Sequence, residues 1–343
     1  MSDRQKMINK IRASILGLAI GDALGVPVEF SSRIELAETP IIGMTGYGAW
    51  EKPAGTWSDD TSLTLALADS LAGGMLDYHD IMDKFASWYQ DGAYTSDGDT
   101  FDVGNTTRAA ILNYLSGAEP LECGGRGARD NGNGSLMRIL PLVFYFRAQF
   151  GRVLTDEGVQ IIHEVSALTH AHPRSQVACV AYLNIADHIL RGSRLIYAIE
   201  DSLREVVRYY HDKPVFSKEL DYFRCMAFGN QGILQIQPFA NLPQNEIKSG
   251  GYVVDTLDAT LWCLLNHRGY RKAVLAAVNL GGDTDTTAAV CGGLAGLYHS
   301  MNESDEDESI LVQWIDSMQN LSLIEDICSR FSAALDSVPP IKS

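Results

Sequence analysis

Apolar residues recur at steps of three and four along residues 7–24, 61–72, 79–89, 106–115, 136–150, 156–168, 174–191, 195–210, 254–266, 270–279, 286–299 and 311–335. That spacing lays an apolar stripe along one side of an α-helix. No stretch alternates for long enough to predict a strand. The intervening segments at 31–58, 91–105, 117–135 and 238–251 are rich in the Gly, Pro and Asn that punctuate helices. The pattern predicts an all-α protein. Small residues in GLAIGDALG and CGGLAGLY predict helices whose backbones approach closely. Neither a composition break nor an internal repeat divides the chain. The expectation is one compact many-helix domain over residues 7–337, with flexible termini at 1–6 and 338–343.

Composition refines this picture mainly by exclusion. A hydrophobic content of 46% over 343 residues is enough for a large core. The balance of 27 basic against 43 acidic residues gives a formal net charge of −16, which opposes contact with a phosphate backbone or an anionic membrane. A nucleic-acid partner is disfavoured, and no uninterrupted run reaches the roughly 18 apolar residues of a membrane span. The opening MSDRQKMINKIRASIL mixes charges into an amphipathic helix rather than a signal peptide. Cys123, Cys179, Cys225, Cys263, Cys291 and Cys328 are widely spaced, mostly among apolar neighbours, with no CxxC pair. They read as reduced core residues, and a cytoplasmic protein is expected. Oligomeric state is left open.

The candidate chemistry starts in GGDTDTT, where Asp283, Thr284, Asp285 and Thr286 lie on a loop and the first turn of a predicted helix. Helix capping alone explains one such start. GTWSDDTS repeats the grammar, with Ser58, Asp59, Asp60 and Thr61 ahead of an apolar helix. Two adjacent aspartates at the mouth of an apolar core repel each other unless a cation neutralises them. The two starts therefore read as halves of one site. Hard cations take carboxylate, hydroxyl and carbonyl oxygens, and the closely spaced His or Cys that zinc or copper would want is missing. Four aspartates carry charge for two divalent cations, Mg²⁺ or Mn²⁺, an arrangement that orients water or clamps substrate oxygens.

Seven blocks in order, GLAIGDALGVPVEF, AGTWSDDTSLTLALADSL, FDVGNTT, NGNGSLMRILPL, LTHAHPRSQ, GGYVVDTLDATLW and NLGGDTDTTAAVCGGLAG, together resemble the ADP-ribosylglycohydrolase family. That family includes dinitrogenase reductase-activating glycohydrolase and lens J1-crystallin. The resemblance runs from about residue 10 to residue 300. It implies an all-helical fold around a dinuclear Mg²⁺ or Mn²⁺ centre and hydrolysis of the α-glycosidic bond at the distal ribose of ADP-ribose. By motif position, Ser58, Asp59 and Asp60 supply one set of metal ligands, and Asp283, Asp285 and Thr286 the other. Ser58 stands where many members carry Thr, and either hydroxyl can ligate.

The resemblance also assigns further residues. Glu29 matches a glutamate that approaches the metals and distal ribose, although after a helix it also reads as an exposed charge. Asp102 matches an aspartate proposed as acid or base, although a polar loop with Asn105 as N-cap explains it equally. With Asp60 these are the candidate catalytic carboxylates. NGNGSLMR offers Asn131, Gly132, Asn133, Gly134, Ser135 and Met137, with glycines that let amides approach a pyrophosphate and a helix N-terminus behind them. An Asn-Gly surface turn is the plainer alternative. His170 falls where members place a histidine near the diphosphate or distal ribose, while His172 shapes the turn before Pro173. Tyr252 offers stacking or a hydrogen bond to the nucleotide, or is a core tyrosine. Asp22 supports the site through hydrogen bonds and is not counted as a ligand.

The resulting expectation is a hydrolase that frees ADP-ribose from a modified acceptor, an ADP-ribosylated protein or a small ADP-ribose conjugate, with arginine linkage favoured. Asp102 or Glu29 would move the proton at an oxocarbenium-like ribose. A structural descendant or ADP-ribose-binding module without turnover, and a two-metal phosphohydrolase, are the alternatives from other classes. The linkage cut is not legible, because acceptor choice lies in loops 31–55, 91–105 and 117–131.

Overall fold

Helix α1 (Asp3–Gly25) lies at the centre of the computed structural model, which describes residues 3–227, 234–299 and 308–337. It packs along α14 (Thr284–His299) through facing glycines. A Cβ at Gly21 would stand 2.1 Å from the Ala288 carbonyl oxygen, and one at Gly25 would stand 2.3 Å from the Asp285 Cα. No side chain fits between the two backbones there. By length and composition α1 is apolar enough to cross a membrane, with a mean hydropathy of 1.5 in its most apolar window. Asp22 interrupts the run, and 83% of that window is buried inside the protein. It is a core helix.

Around this pair the chain adds α2 (Arg33–Glu38), α3 (Asp59–Leu71), α4 (Tyr78–Asp91), α5 (Asn105–Leu115), α6 (Leu142–Gln149), α7 (Asp156–Ala167), α8 (Pro173–Leu190) and α9 (Leu195–Tyr210). Then follow α10 (Pro214–Ser217), α11 (Ile236–Ala240), α12 (Val253–Asn266), α13 (Tyr270–Val278), α15 (Glu308–Ser317) and α16 (Leu321–Ser337), with short 3₁₀ turns between. Among the described residues there is no β-strand, only isolated bridges such as Gly132 with Tyr252. The protein is all-α, a single domain around one continuous apolar core. All six cysteines are free and buried.

Several helix boundaries differ from the sequence expectation. α1 begins at Asp3, before the expected residue 7, and residues 338–343, expected to be a flexible end, lie outside the described residues. The stretch 136–150 is helical only from Leu142, because Pro141 occupies the N-cap position and residues 136–141 run as successive turns. The expected helix at 311–335 is two helices. The Gln319 N–H leaves the ladder for Gly55 O at 3.0 Å, and Asn320 turns left-handed at φ 43°. Gly104 rather than Asn105 caps α5, with no side-chain cap bond. The short α2 lies outside the periodic pattern and starts on a complete capping box of Ser32 and Glu35.

Candidate active site

The start of α3 is satisfied from outside the helix. Asp22, wholly buried on α1, accepts from the backbone N–H of Ser58 (2.9 Å) and Thr61 (3.0 Å) and from the Thr61 hydroxyl (2.6 Å). Ser58 is the N-cap, and its Oγ takes the Asp60 N–H at 3.3 Å. These bonds meet the N–H groups of Ser58, Asp60 and Thr61 at the first turn, and the Asp60 carboxylate is not spent on capping. Its Oδ2 accepts from Ser58 Oγ and Thr286 Oγ1, each at 3.1 Å, and its Oδ1, though buried, has no partner.

The start of α14 is built by the Gly-Gly pair. Gly281 and Gly282 take φ 75° and 81°, open to glycine without strain. Gly282 bonds in both directions with the segment after Glu29: its N–H donates to Ser31 O and its carbonyl accepts from Phe30 N, both at 2.8 Å. Asp283 N–H donates to Ser249 O at 2.8 Å, and the Thr284 hydroxyl donates to Gly25 O at 2.8 Å. Asp285 Oδ1 accepts from the Thr286 N–H at 2.9 Å, while the buried Oδ2 is unpartnered. Asp283 Oδ2 accepts from the Asn133 amide at 2.7 Å.

Carboxylate oxygens of Asp22, Asp60 and Asp285 lie within 4.8 Å of one another, as do those of Glu29, Asp283 and Asp285. The triads share Asp285 and join both helix starts. Burial lifts Asp22 to about 6. It lifts Asp102 to about 7 with the Asp283 charge adding, and Glu29 to about 9 with the Asp102 charge adding. Asp59, Asp60 and Asp285 stand well above the usual carboxylate range, again through burial first and neighbouring carboxylates second. Two unpartnered oxygens in a buried, all-oxygen, like-charged cluster fit hard divalent cations. Glu29 and Asp22 complete the triads, and Asp59, expected as a ligand, is in neither.

Beside the triads opens a cavity of about 660 Å³, lined among others by Glu29, Asp59, Asp102, Gly132, Asn133, Gly134, Met137, His170, Asp283 and Thr286. Among the described residues, the N–H groups of Gly132 and Gly134 donate to no protein acceptor. His170 is packed against both glycines, and burial holds its imidazole down at about 3, so it is neutral. Its Nδ1 pairs with the Thr169 hydroxyl at 2.8 Å.

Three residues expected to bind substrate point elsewhere. Ser135 is fully buried and accepts from Ser166 Oγ at 3.0 Å. Asn131 uses its side chain on Ala128 O and Ser175 Oγ. The Tyr252 hydroxyl accepts from Arg174 at 2.7 Å, and the ring lines a neighbouring cleft. The expected helix N-terminus behind this loop is absent, since α6 starts only after Pro141. Arg138 is not on the cavity wall: its guanidinium is fully buried, bonds Gly134 O and Val165 O, and lies 5.0 Å over the Phe85 ring, and its charge helps hold His170 neutral.

Two residues outside every sequence motif, Arg33 and Trp50, hold the site together. Arg33 donates to Leu280 O (2.8 Å) and Ile247 O (2.6 Å), tying the Gly-Gly turn to the 244–249 loop. Trp50 donates its indole N–H to Glu29 Oε2. A lone Arg and a lone Trp in a Gly-rich loop carry no periodic signal; only the tertiary fold gives them partners.

Residues 3–339 match the ADP-ribosylglycohydrolase family. The ADP-ribosylarginine hydrolase Tri1 of Serratia proteamaculans is 31% identical over 325 residues, 94% of this chain and 79% of that protein. The ADP-ribosyl-[dinitrogen reductase] glycohydrolase of Rhodospirillum rubrum is 31% identical over 293 residues, 84% of this chain and 85% of that protein. A solved structure described as an ADP-ribosylglycohydrolase-related protein complex aligns with TM-score 0.72 and 26% identity, covering 96% of this chain and 99% of that one. With likeness running nearly end to end and carboxylates converging from two helix starts, the chain belongs to the ADP-ribosylglycohydrolase family of hydrolases.

Proposed function

We propose that this enzyme removes ADP-ribose from arginine side chains of a modified protein, cleaving the α-glycosidic bond at the distal ribose with two divalent cations, Mg²⁺ or Mn²⁺. The observation that carries the reading is the pair of buried, unpartnered oxygens, Asp60 Oδ1 and Asp285 Oδ2, in two triads that share Asp285. Asp60 and Asp285, beside the Thr286 hydroxyl, would hold one ion; Glu29, Asp283 and Asp285 would hold the other. Asp59 on the cavity wall is a further oxygen donor. Bound there, the cations supply positive charge for ribose hydroxyls and a water in an otherwise anionic pocket.

The free N–H groups of Gly132 and Gly134 suit the diphosphate, and neutral His170 beside them bonds without adding charge. Asp102 lines the cavity, and burial lifts its carboxyl above the usual carboxylate range, which suits a proton donor to the departing guanidino nitrogen. The surrounding carboxylates favour the oxocarbenium-like ribose that forms as the acceptor leaves. Likeness to the ADP-ribosylarginine hydrolase of Serratia proteamaculans supports the arginine linkage, and six reduced, buried cysteines support a cytoplasmic setting. The test is release of free ADP-ribose from ADP-ribosyl-arginine protein with Mg²⁺, Mn²⁺ or EDTA, for the native chain and Asp283→Ala. Cation-dependent release lost in the variant supports the proposal; release that survives EDTA, or none at all, rejects it.

A further inference from the structure

Among the described residues six non-glycine residues have left-handed backbone, and two of them, Phe30 and Asp102, line the cavity. For a bulky aromatic such as Phe30, at φ 67°, this is a costly conformation, and such strain concentrates where structure is held for function. Phe30 is held there by its bond to Gly282 O. The backbone that places Glu29 in the cluster thus places the next ring at the cavity wall, 70% exposed to solvent.

Phe30 is not alone at the rim. Its ring centroid lies 6.2 Å from that of Trp50 at an interplanar angle of 55°, and Trp50 lies 5.3 Å from Phe101 at 50°. Glu29 precedes Phe30 and Asp102 follows Phe101 in sequence, and the Trp50 indole N–H donates to Glu29 Oε2. Tilted aromatic faces are a receptor for a planar or compact cation. One cation already uses the strip: Lys52 lies 5.2 Å over the Phe101 ring. Its ammonium is held by Asp97 at 2.8 Å and Asp99 at 2.7 Å, so its charge is balanced locally.

We infer that Phe30, Trp50 and Phe101 form the acceptor-side platform of the enzyme, binding the guanidinium and stem of the arginine that carries ADP-ribose. The inference rests on the proposed arginine-linked activity. The platform selects by charge: a cationic acceptor gains contact with the negative ring faces, whereas a neutral hydroxyl or acetyl acceptor does not. Phe30, which offers the most exposed face, is the specificity-determining residue.

The test compares the native chain with Phe30→Gly and Phe30→Leu. The glycine variant keeps the left-handed backbone without strain, and the leucine variant keeps apolar bulk without a π face. KM and kcat are measured on an ADP-ribosyl-arginine peptide, together with the inhibition constant of free ADP-ribose, which carries the donor half alone. The expected result is a rise in KM of roughly 3- to 30-fold in both variants, the range of a cation–π contact, with kcat and the ADP-ribose inhibition constant unchanged. An unchanged KM, or an equal rise in the ADP-ribose inhibition constant, overturns the platform while leaving the enzyme's activity standing. No release of ADP-ribose from the arginine peptide by the native chain overturns the arginine-linked activity and the platform with it.

Discussion

The Thr286 hydroxyl donates to Asp60 Oδ2 at 3.1 Å across 226 residues of sequence. That bond ties the first turn of α14 to the first turn of α3 and turns the free Oδ1 of Asp60 toward no other protein group. Thr286→Val keeps the volume and removes the donor. The expected outcome is a loss of cation affinity of about 10-fold or more, with Thr286→Ser restoring most of it, read by calorimetric titration with Mn²⁺.

Asp22 meets two backbone donors and one hydroxyl at the start of α3. Asp22→Ala leaves these buried donors unmet, at a cost of about 3 kcal/mol. Urea denaturation measures it, and a change below about 0.5 kcal/mol would show that α3 caps itself without Asp22.

Asn133 was expected to bind substrate, but its amide bonds Asp283 Oδ2 at 2.7 Å and Thr256 Oγ1 at 2.9 Å. Asn133→Ala should therefore weaken cation binding by roughly 10- to 100-fold. A rise in KM for substrate at saturating Mn²⁺ with intact cation affinity would instead return Asn133 to the substrate.

Metal-free protein should lose stability as pH rises. Asp22, Asp102 and Glu29 are held at about 6, 7 and 9 by burial, above the values near 4 of an unfolded chain. The folded state thus binds protons that the unfolded state has released. The associated stability is complete below about pH 4 and is lost as pH climbs through each folded value. In EDTA the Tm should fall between about pH 5 and pH 9, and Mn²⁺ should raise it more at pH 8 than at pH 5.5. A Tm in EDTA that rises over this range would contradict the assignment.

Gly25→Ala places a methyl 2.3 Å from the Asp285 Cα and N. Separation of α1 from α14 should cost about 3 kcal/mol and displace Asp285, so activity should fall further than the loss of folded protein explains. Paired activity assays and denaturation curves check it.

The sequence makes the long helices and the two acidic helix starts legible because both obey local rules: 3.6-residue periodicity, and a capping grammar that one aspartate would satisfy and two exceed. Asp22 is legible as the charged residue in the small, apolar C-terminal half of its helix. The failures share a cause. Where residues 319–320 leave helical geometry, the competing partner is Gly55, far away in sequence. The Gly pair before Tyr252 gives no sign that Arg174 holds its hydroxyl. Trp50 and Arg33 acquire meaning only when the loop folds onto Glu29 and Leu280. Their chemistry is tertiary, and no window of the chain contains it.

The seam between α1 and α14 also bears on synthesis. At about 5–20 residues per second, the 259 residues that separate Gly25 from Thr284 leave α1 without its glycine-faced partner for roughly 13–52 s on a translating ribosome. Throughout that interval the nascent chain displays a helix apolar enough to enter a bilayer. Shielding it until α14 emerges falls to the earlier helices and to chaperones, so truncated chains that end before α14 should aggregate even though most of their helices are present.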